Sequence, residues 1–316
     1  MESHTREPLA EELVALCGSA RERLILAAPF AKAPIVHLLL AATSAFVRVD
    51  VVVRWLPSDI SSGVSDIEVW DVTQSRPHST LFVRNDLHAK YYRADQRCLV
   101  GSANLTGAAL GLSLAPNLEL LVPLERGHPG IETFEDTLFA GSVKVDQYLV
   151  ELTRAAVERM PMSVAVEGRE SLRGRQVFDG LWSASAEDWV PTVRQPEDLY
   201  LAYGGESDRL SRAAEQSAMR DLAVLRVPVG LDEAAFRAYV GAVLLRMPVV
   251  VDVDRFVARP RRFGEVRDLL QRRLQTIEPP DRQWQVLLRW ITYFLPDRFE
   301  YRRPGYSEII ARRLTQ

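Results

Sequence analysis

Between Leu24 and Trp55 the chain passes through three segments that leave few folds open. Leu24–Phe30 (LILAAPF) is a compact apolar run interrupted by Pro29, and Pro34–Phe46 has helical spacing. Val47–Trp55 (VRVDVVVRW) is rich in β-branched residues. Strand, helix and strand within so short a span is the pattern of a βαβ crossover, and so of a parallel strand pair. A short amphipathic helix is expected before it, at residues 9–17. After a Ser/Gly/Asp turn at 58–66 come four short strand candidates: Ile67–Val72, Thr80–Val83, His88–Ala94 and Arg97–Ser102. A further strand is expected at Asn117–Pro123, and helices at Ile131–Phe139 and Lys144–Arg159. The expected fold is α/β, a mixed sheet flanked by helices.

Glu167–Gly174 is polar and glycine-punctuated, and reads as a linker. Beyond it helical spacing dominates, over Asp208–Leu222, Leu231–Met247, Phe263–Thr276 and Arg282–Phe294. Strands are expected at Val224–Val229 and Val249–Val253. The chain thus divides into a first domain at 1–165 and a second, more helical α+β domain at 166–316, an accessory that could bind DNA or a partner.

With 47% hydrophobic and 26% charged residues among 316, the balance is that of a soluble globular chain. No apolar run approaches the ~18–20 residues of a membrane span, and no membrane partner is expected. Met1–Arg23 lacks a basic start followed by an apolar core, and Cys17 and Cys98 have neither metal-ligand nor disulfide-framework spacing. The expected location is cytoplasmic. Net charge is −3, yet the residues from 165 onward hold 24 arginines and no lysine against 22 acids. Twelve of those arginines lie between Asp254 and Arg303. A basic face there could track a phosphate backbone, or the arginines could simply solvate helix faces.

The segment that speaks of chemistry is LHAKYYRADQRCLVGSANLTGAALG, residues 87–111, followed by NLEL at 117–120. His88-x-Lys90, Asp95, Gly101-Ser102-x-Asn104 and then Glu119 resemble the HKD signature of the phospholipase D superfamily. The resemblance spans roughly residues 20–145. Asp95 and Gly101 are separated by five residues where that family usually has six. His88 and Lys90 are two apart on a strand and share a face. A plain two-residue turn at Asp95-Gln96 would carry Ser102 to the other face, whereas an odd loop or a bulge would keep it with them.

What the resemblance implies is specific. His88 would attack phosphorus and form a phosphohistidine, since a neutral imidazole is not repelled by an anionic diester. Lys90, Asn104 and Ser102 would hold the non-bridging oxygens, a task that divalent metal performs in many nucleases. Glu119 would fix the His88 tautomer by accepting from its other nitrogen. Asp95 and Gly101 would be structural residues of the motif. No metal and no cofactor are expected.

Such a mechanism needs a second imidazole as acid. The five histidines are His4, His37, His78, His88 and His128, none after residue 128, so no second motif exists in the chain. His37 is placed on an apolar helix face, His78 and His128 in loops beside prolines. The economical solution is a homodimer that places two His88 rings across a twofold axis; an unrelated protein completing the site is the alternative. Single-motif dimers resemble the bacterial nucleases of the superfamily, including metal-independent restriction endonucleases. DNA is therefore expected before RNA, with a restriction or anti-phage role and a helicase or translocase ATPase as a candidate partner. A lipid phosphodiesterase and a non-catalytic subunit of a nucleic-acid-processing complex are the rival readings. Trp182, Trp189, Trp284, Trp290 and Tyr293 could stack on bases, but the helical spacing of Trp284, Leu287, Trp290 and Tyr293 suits a core better.

Overall fold

A computed structural model of the chain describes residues 9–161, 187–274, 278–304 and 308–313. It divides into two compact units, residues 1–154 and 155–316. In the first, α1 (Leu9–Ser19) precedes β1 (Arg23–Ala27), α2 (Ala33–Ala42) and β2 (Arg48–Val53). Then follow α3 (Pro57–Ser61), α4 (Val69–Gln74), β3 (Ser79–Val83), β4 (Lys90–Ala94) and β5 (Arg97–Gly101). β6 (Leu121–Glu125), α5 (Pro129–Ala140) and β7 (Val143–Lys144) complete it, and α6 (Gln147–Arg159) crosses to the second unit. The strands form one seven-stranded mixed sheet in the order β6-β5-β4-β1-β2-β3-β7. The expected α/β sheet flanked by helices is what the chain forms.

β1 and β2 pair in parallel, as the βαβ pattern requires. Their residues are almost all buried, which suits central strands covered on both faces. The one carboxylate among them, Asp50, is fully buried and held by the Arg23 guanidinium at 2.6 Å from the neighbouring strand. Asp66 closes the start of α2, accepting from the Ala33 amide at 2.9 Å and from the Lys32 ammonium.

Four expected strands differ. Ile67–Val72 lies at the helix α4, because β2 and β3 are parallel and need a crossover between them. Asn117–Pro123 becomes strand only at Leu121, since the preceding residues spend their polar groups on side-chain hydrogen bonds. Val224–Val229 is the end of a helix that closes at Arg226, left-handed at φ 52°, with Pro228 beyond it. Val249–Val253 is helical behind Pro248: Val249, Val250 and Val253 are buried at helical spacing, so burial overrides β propensity. His37 is exposed on α2 and does not lie on the apolar face. Glu167–Gly174, His4 and Trp182 fall outside the described residues.

The second unit contains α7 (Glu197–Tyr203), α8 (Arg212–Leu225), α9 (Glu233–Leu244) and α10 (Pro248–Phe256). β8 (Arg261–Arg262), α11 (Phe263–Arg273), α12 (Pro280–Phe294), β9 (Phe299–Arg302) and β10 (Ile309–Arg312) follow. The three strands make a small antiparallel sheet with β10 in the middle. Trp284 and Trp290 of α12 are fully buried and Trp189 nearly so, which makes them core residues. The Trp290 indole donates to the Val193 carbonyl at 2.8 Å. A buried Asp254 on α10 takes a two-pronged bond from Arg298, both at 2.8 Å, and a third from Arg312 of β10 at 3.3 Å. That network ties the helices to the small sheet. Among the described residues no single helix is long and apolar enough to cross a membrane.

Candidate active site

Sheet topology fixes where the motif stands. β1 pairs in parallel with β2 on one side and antiparallel with β4 on the other, with Ala27 opposite Tyr91. The head of β4, at Lys90, therefore lies at the carboxyl ends of β1 and β2. In open α/β sheets that edge, where strand direction switches, is where ligands bind. His88 precedes the strand and is exposed; Lys90 begins it and is half-buried. The Lys90 ammonium donates to the His88 carbonyl at 2.8 Å. Burial lowers its pKa from the ordinary lysine value, with Glu119 raising it and Arg54 lowering it further.

The turn that joins β4 to β5 has two residues, Asp95 and Gln96, between the paired Ala94 and Arg97. Asp95 takes the left-handed conformation at φ 51°, which an aspartate tolerates better than most residues. Its carboxylate accepts from three successive amides that lead into β1: Arg21 at 2.7 Å, Glu22 at 3.0 Å and Arg23 at 2.8 Å. Burial raises this carboxyl, but the three amide bonds and Arg93 outweigh it, and the net shift is below the ordinary aspartate value. Asp95→Ala is expected to cost about 1–3 kcal/mol at neutral pH, read by thermal melting of the full chain. A depressed folded pKa contributes stability above the unfolded value and loses it as pH falls through the folded one. The difference between wild type and variant should therefore shrink below about pH 4.

This register sets Lys90 opposite Gly101, so a plain continuation of the ladder would turn Ser102 away from Lys90. The ladder does not continue: β5 stops at Gly101 and the chain bends at Ser102. Gly101 has no side chain because Leu120 crosses it, and a Cβ there would lie 1.9 Å from the Leu120 carbonyl oxygen. The crossing is pinned on both sides. The Ser102 amide donates to the Leu120 carbonyl at 3.0 Å, and the Leu120 amide donates to the Ser102 hydroxyl at 3.1 Å. The Ser102 hydroxyl in turn donates to Glu119 Oε2 at 2.5 Å, and Asn117 Nδ2 donates to Oε1 at 3.2 Å. Lys90, Ser102 and Glu119 are thus brought together, and the His88 backbone carbonyl is bound to Lys90.

Asn104 lies in the loop between Ser102 and the bridge of Leu105 to Ala31, and its buried Oδ1 accepts no hydrogen bond. Tyr92 supports this loop from beneath, donating its hydroxyl to the Ala103 carbonyl at 2.6 Å.

Arg54 was not among the sequence candidates. It follows β2 at the same carboxyl edge, is held by Asp59 through Nε at 2.9 Å, and lies close enough to Lys90 to depress its pKa. The signal was a lone cation directly after VVV, where the edge of a parallel sheet is expected. His78 stands before β3 at the opposite edge of the sheet, in the left-handed conformation. His128 caps α5, its Nδ1 accepting from the Gly130 amide at 3.3 Å. Among the described residues no three His, Cys, Asp or Glu side chains gather so as to hold a metal ion.

No protein-family model matches the chain, and no curated protein matches it. Among solved structures, NucT from Helicobacter pylori is similar over 43% of this chain and 91% of its own, at 17% identity and a TM-score of 0.35. The mixed sheet flanked by helices is an α/β architecture.

Proposed function

We propose that the chain is a metal-independent phosphodiesterase of the phospholipase D type, that its substrate is DNA, and that two copies form one catalytic site. The observation that carries the reading is the grouping of Lys90, Ser102 and Glu119 around the head of β4, beside an exposed His88 two residues before Lys90. Four residue types that phosphoryl transfer through a histidine requires stand at the sheet edge where α/β proteins bind ligands.

In this mechanism a His88 ring nitrogen attacks phosphorus and a P–N bond forms as the P–O bond to the leaving group breaks. The leaving oxygen takes a proton from His88 of the partner subunit. That imidazole, now neutral, removes a proton from water, whose oxygen attacks phosphorus and releases His88. Lys90, with Asn104 and Ser102, offsets charge on the non-bridging oxygens, and Glu119 orients His88. Restriction or anti-phage defence, restrained by an ATPase partner, is the setting we propose.

The second copy has a surface to meet. Leu112, Leu114, Leu118, Leu120 and Val122 are all exposed, Leu114 and Leu118 almost wholly. They flank Asn117 and Glu119 in sequence, and β6 is one of the two edge strands of the sheet. An apolar strip beside a half-complete site is what a self-complementary interface needs. Leu114→Glu with Leu118→Glu is expected to give a monomer in sedimentation, with cleavage of plasmid in EDTA reduced at least tenfold. Wild-type cleavage that requires magnesium, or that comes from a monomer, would sink the proposal.

A further inference from the structure

The second unit carries an arrangement that periodicity did not reveal. Helix α10, strand β8, helices α11 and α12, and strands β9 and β10 follow in that order, and β10 lies between the other two strands. This is the order of a helix-turn-helix flanked by a β-hairpin. In such a unit the later helix of the pair enters the major groove and its N-terminal residues meet base edges. We propose that this unit binds duplex DNA, with Arg282, Gln285 and Arg289 of α12 facing the bases and Arg302 and Arg303 beside phosphates. For its choice of ligand the proposal rests on the nucleic-acid reading of the first unit.

α12 has a buried and an exposed face. Gln283, Trp284, Val286, Leu287, Trp290, Ile291 and Phe294 are buried. Arg282, Gln285 and Arg289 are exposed, and at 100° per residue they form one stripe opposite that core. Arginine reads guanine and glutamine reads adenine in the major groove, so these are residue types that discriminate base pairs. With side chains a helix is ~10–12 Å across, matching a groove ~12 Å wide. The C-terminal end is covered, for Arg237 stacks on Tyr293 at 4.2 Å and donates to its carbonyl at 3.2 Å. The length of α12 that carries Arg282, Gln285 and Arg289 lies ahead of that cover.

Charge agrees. From Arg255 to Arg313 there are 14 arginines against seven acids, in a chain whose net charge is −3. On the small sheet Arg262, Ile309 and Arg302 stand side by side, and both arginines are exposed. Existing pairings oppose binding only mildly. Arg282 meets Glu278 at 3.6 Å, Arg302 meets Glu300 at 2.5 Å and Arg303 meets Glu308 at 3.8 Å, all at the surface, where water screens such pairs. Arg289 donates to the Arg194 carbonyl at 3.2 Å, a bond it would exchange for a base edge. Six residues of sequence separate α11 from α12, against the ~3–4 of the commonest such units.

The test is binding by the full chain carrying His88→Ala, so that nothing is cleaved. The probe is a pool of random duplexes of about 30 base pairs, followed by anisotropy between ~50 and ~200 mM salt. Arg282→Ala with Arg289→Ala is expected to weaken the best-bound duplexes at least tenfold, and Gln285→Ala to flatten base preference. Arg302→Ala with Arg303→Ala should weaken all duplexes alike and lower the salt slope by about 1–2. Arg209→Ala with Arg220→Ala, which removes the same charge elsewhere on the unit, should change nothing. Duplex affinity untouched in the α12 and hairpin variants, or lost equally in the control pair, overturns the proposal and leaves the arginine face to a protein partner. Failure of the cleavage chemistry would appear separately, as intact DNA beside an unchanged pattern of binding.

Discussion

Replacing His88 by alanine is expected to reduce DNA cleavage by about 10⁴-fold or more while leaving the melting temperature within a degree or two of wild type. The two halves of this expectation have different origins. His88 is exposed and precedes β4, so its ring contributes little to the packing of the sheet. If it is the nucleophile, no other described imidazole stands at this edge to replace it, since His78 lies at the opposite edge and His128 caps α5. Mixing sharpens the test. When wild type and His88→Ala chains exchange subunits at equal amounts, about a quarter of the dimers carry two histidines. A shared site that needs both should show about a quarter of the undiluted activity, and independent half-sites about one half. Observing one half, or finding cleavage intact in His88→Ala, removes the two-imidazole mechanism. The alkaline limb of the rate profile supplies a second readout. Lys90 is depressed from its ordinary value chiefly by burial, so its charge should be lost at lower pH than that of a free lysine, and cleavage with it.

How much of this could be read from residues alone depends on which interactions decide each element. The central βαβ unit was legible because β1 and β2 are buried on both faces and their apolar runs say so. The motif string was legible because its residues follow one another along β4, β5 and the segment after them, whereas the service of Asp95 to the distant amides of Arg21 to Arg23 was not. Ile67–Val72 and Val249–Val253 were misread for the same reason as each other. Both have β-favouring composition, and in both a non-local demand decides, a parallel crossover in one and a buried helical stripe in the other. Arg54 was missed because it reaches Lys90 only through the juxtaposition of β2 with β1 and β4. The order of the small sheet was beyond reach, since β8 is only two residues long and carries no periodicity.

Gly101→Ala is expected to cost about 2–3 kcal/mol and to lower cleavage about 10²-fold, the second largest effect in the first unit. The reason is a close approach. An added Cβ would lie 1.9 Å from the Leu120 carbonyl oxygen and 2.9 Å from its carbon, and both are backbone atoms that no rotamer change can move aside. The segment at 119–121 must then lift. With it go the two bonds between Ser102 and Leu120, one to the backbone carbonyl and one to the hydroxyl, and the placement of Glu119 on the Ser102 hydroxyl. Gly107→Ala is the matched control, because a Cβ there meets nothing within 4 Å, and it should shift stability by less than about 0.5 kcal/mol. A further variant separates misplacement from loss of packing. Ser102→Ala keeps the crossing clear but removes the hydroxyl that Glu119 accepts from, so it should lower cleavage by about tenfold with little change in melting. Should Gly101→Ala melt and cleave like wild type, the crossing of Leu120 over Gly101 would not be what assembles the site.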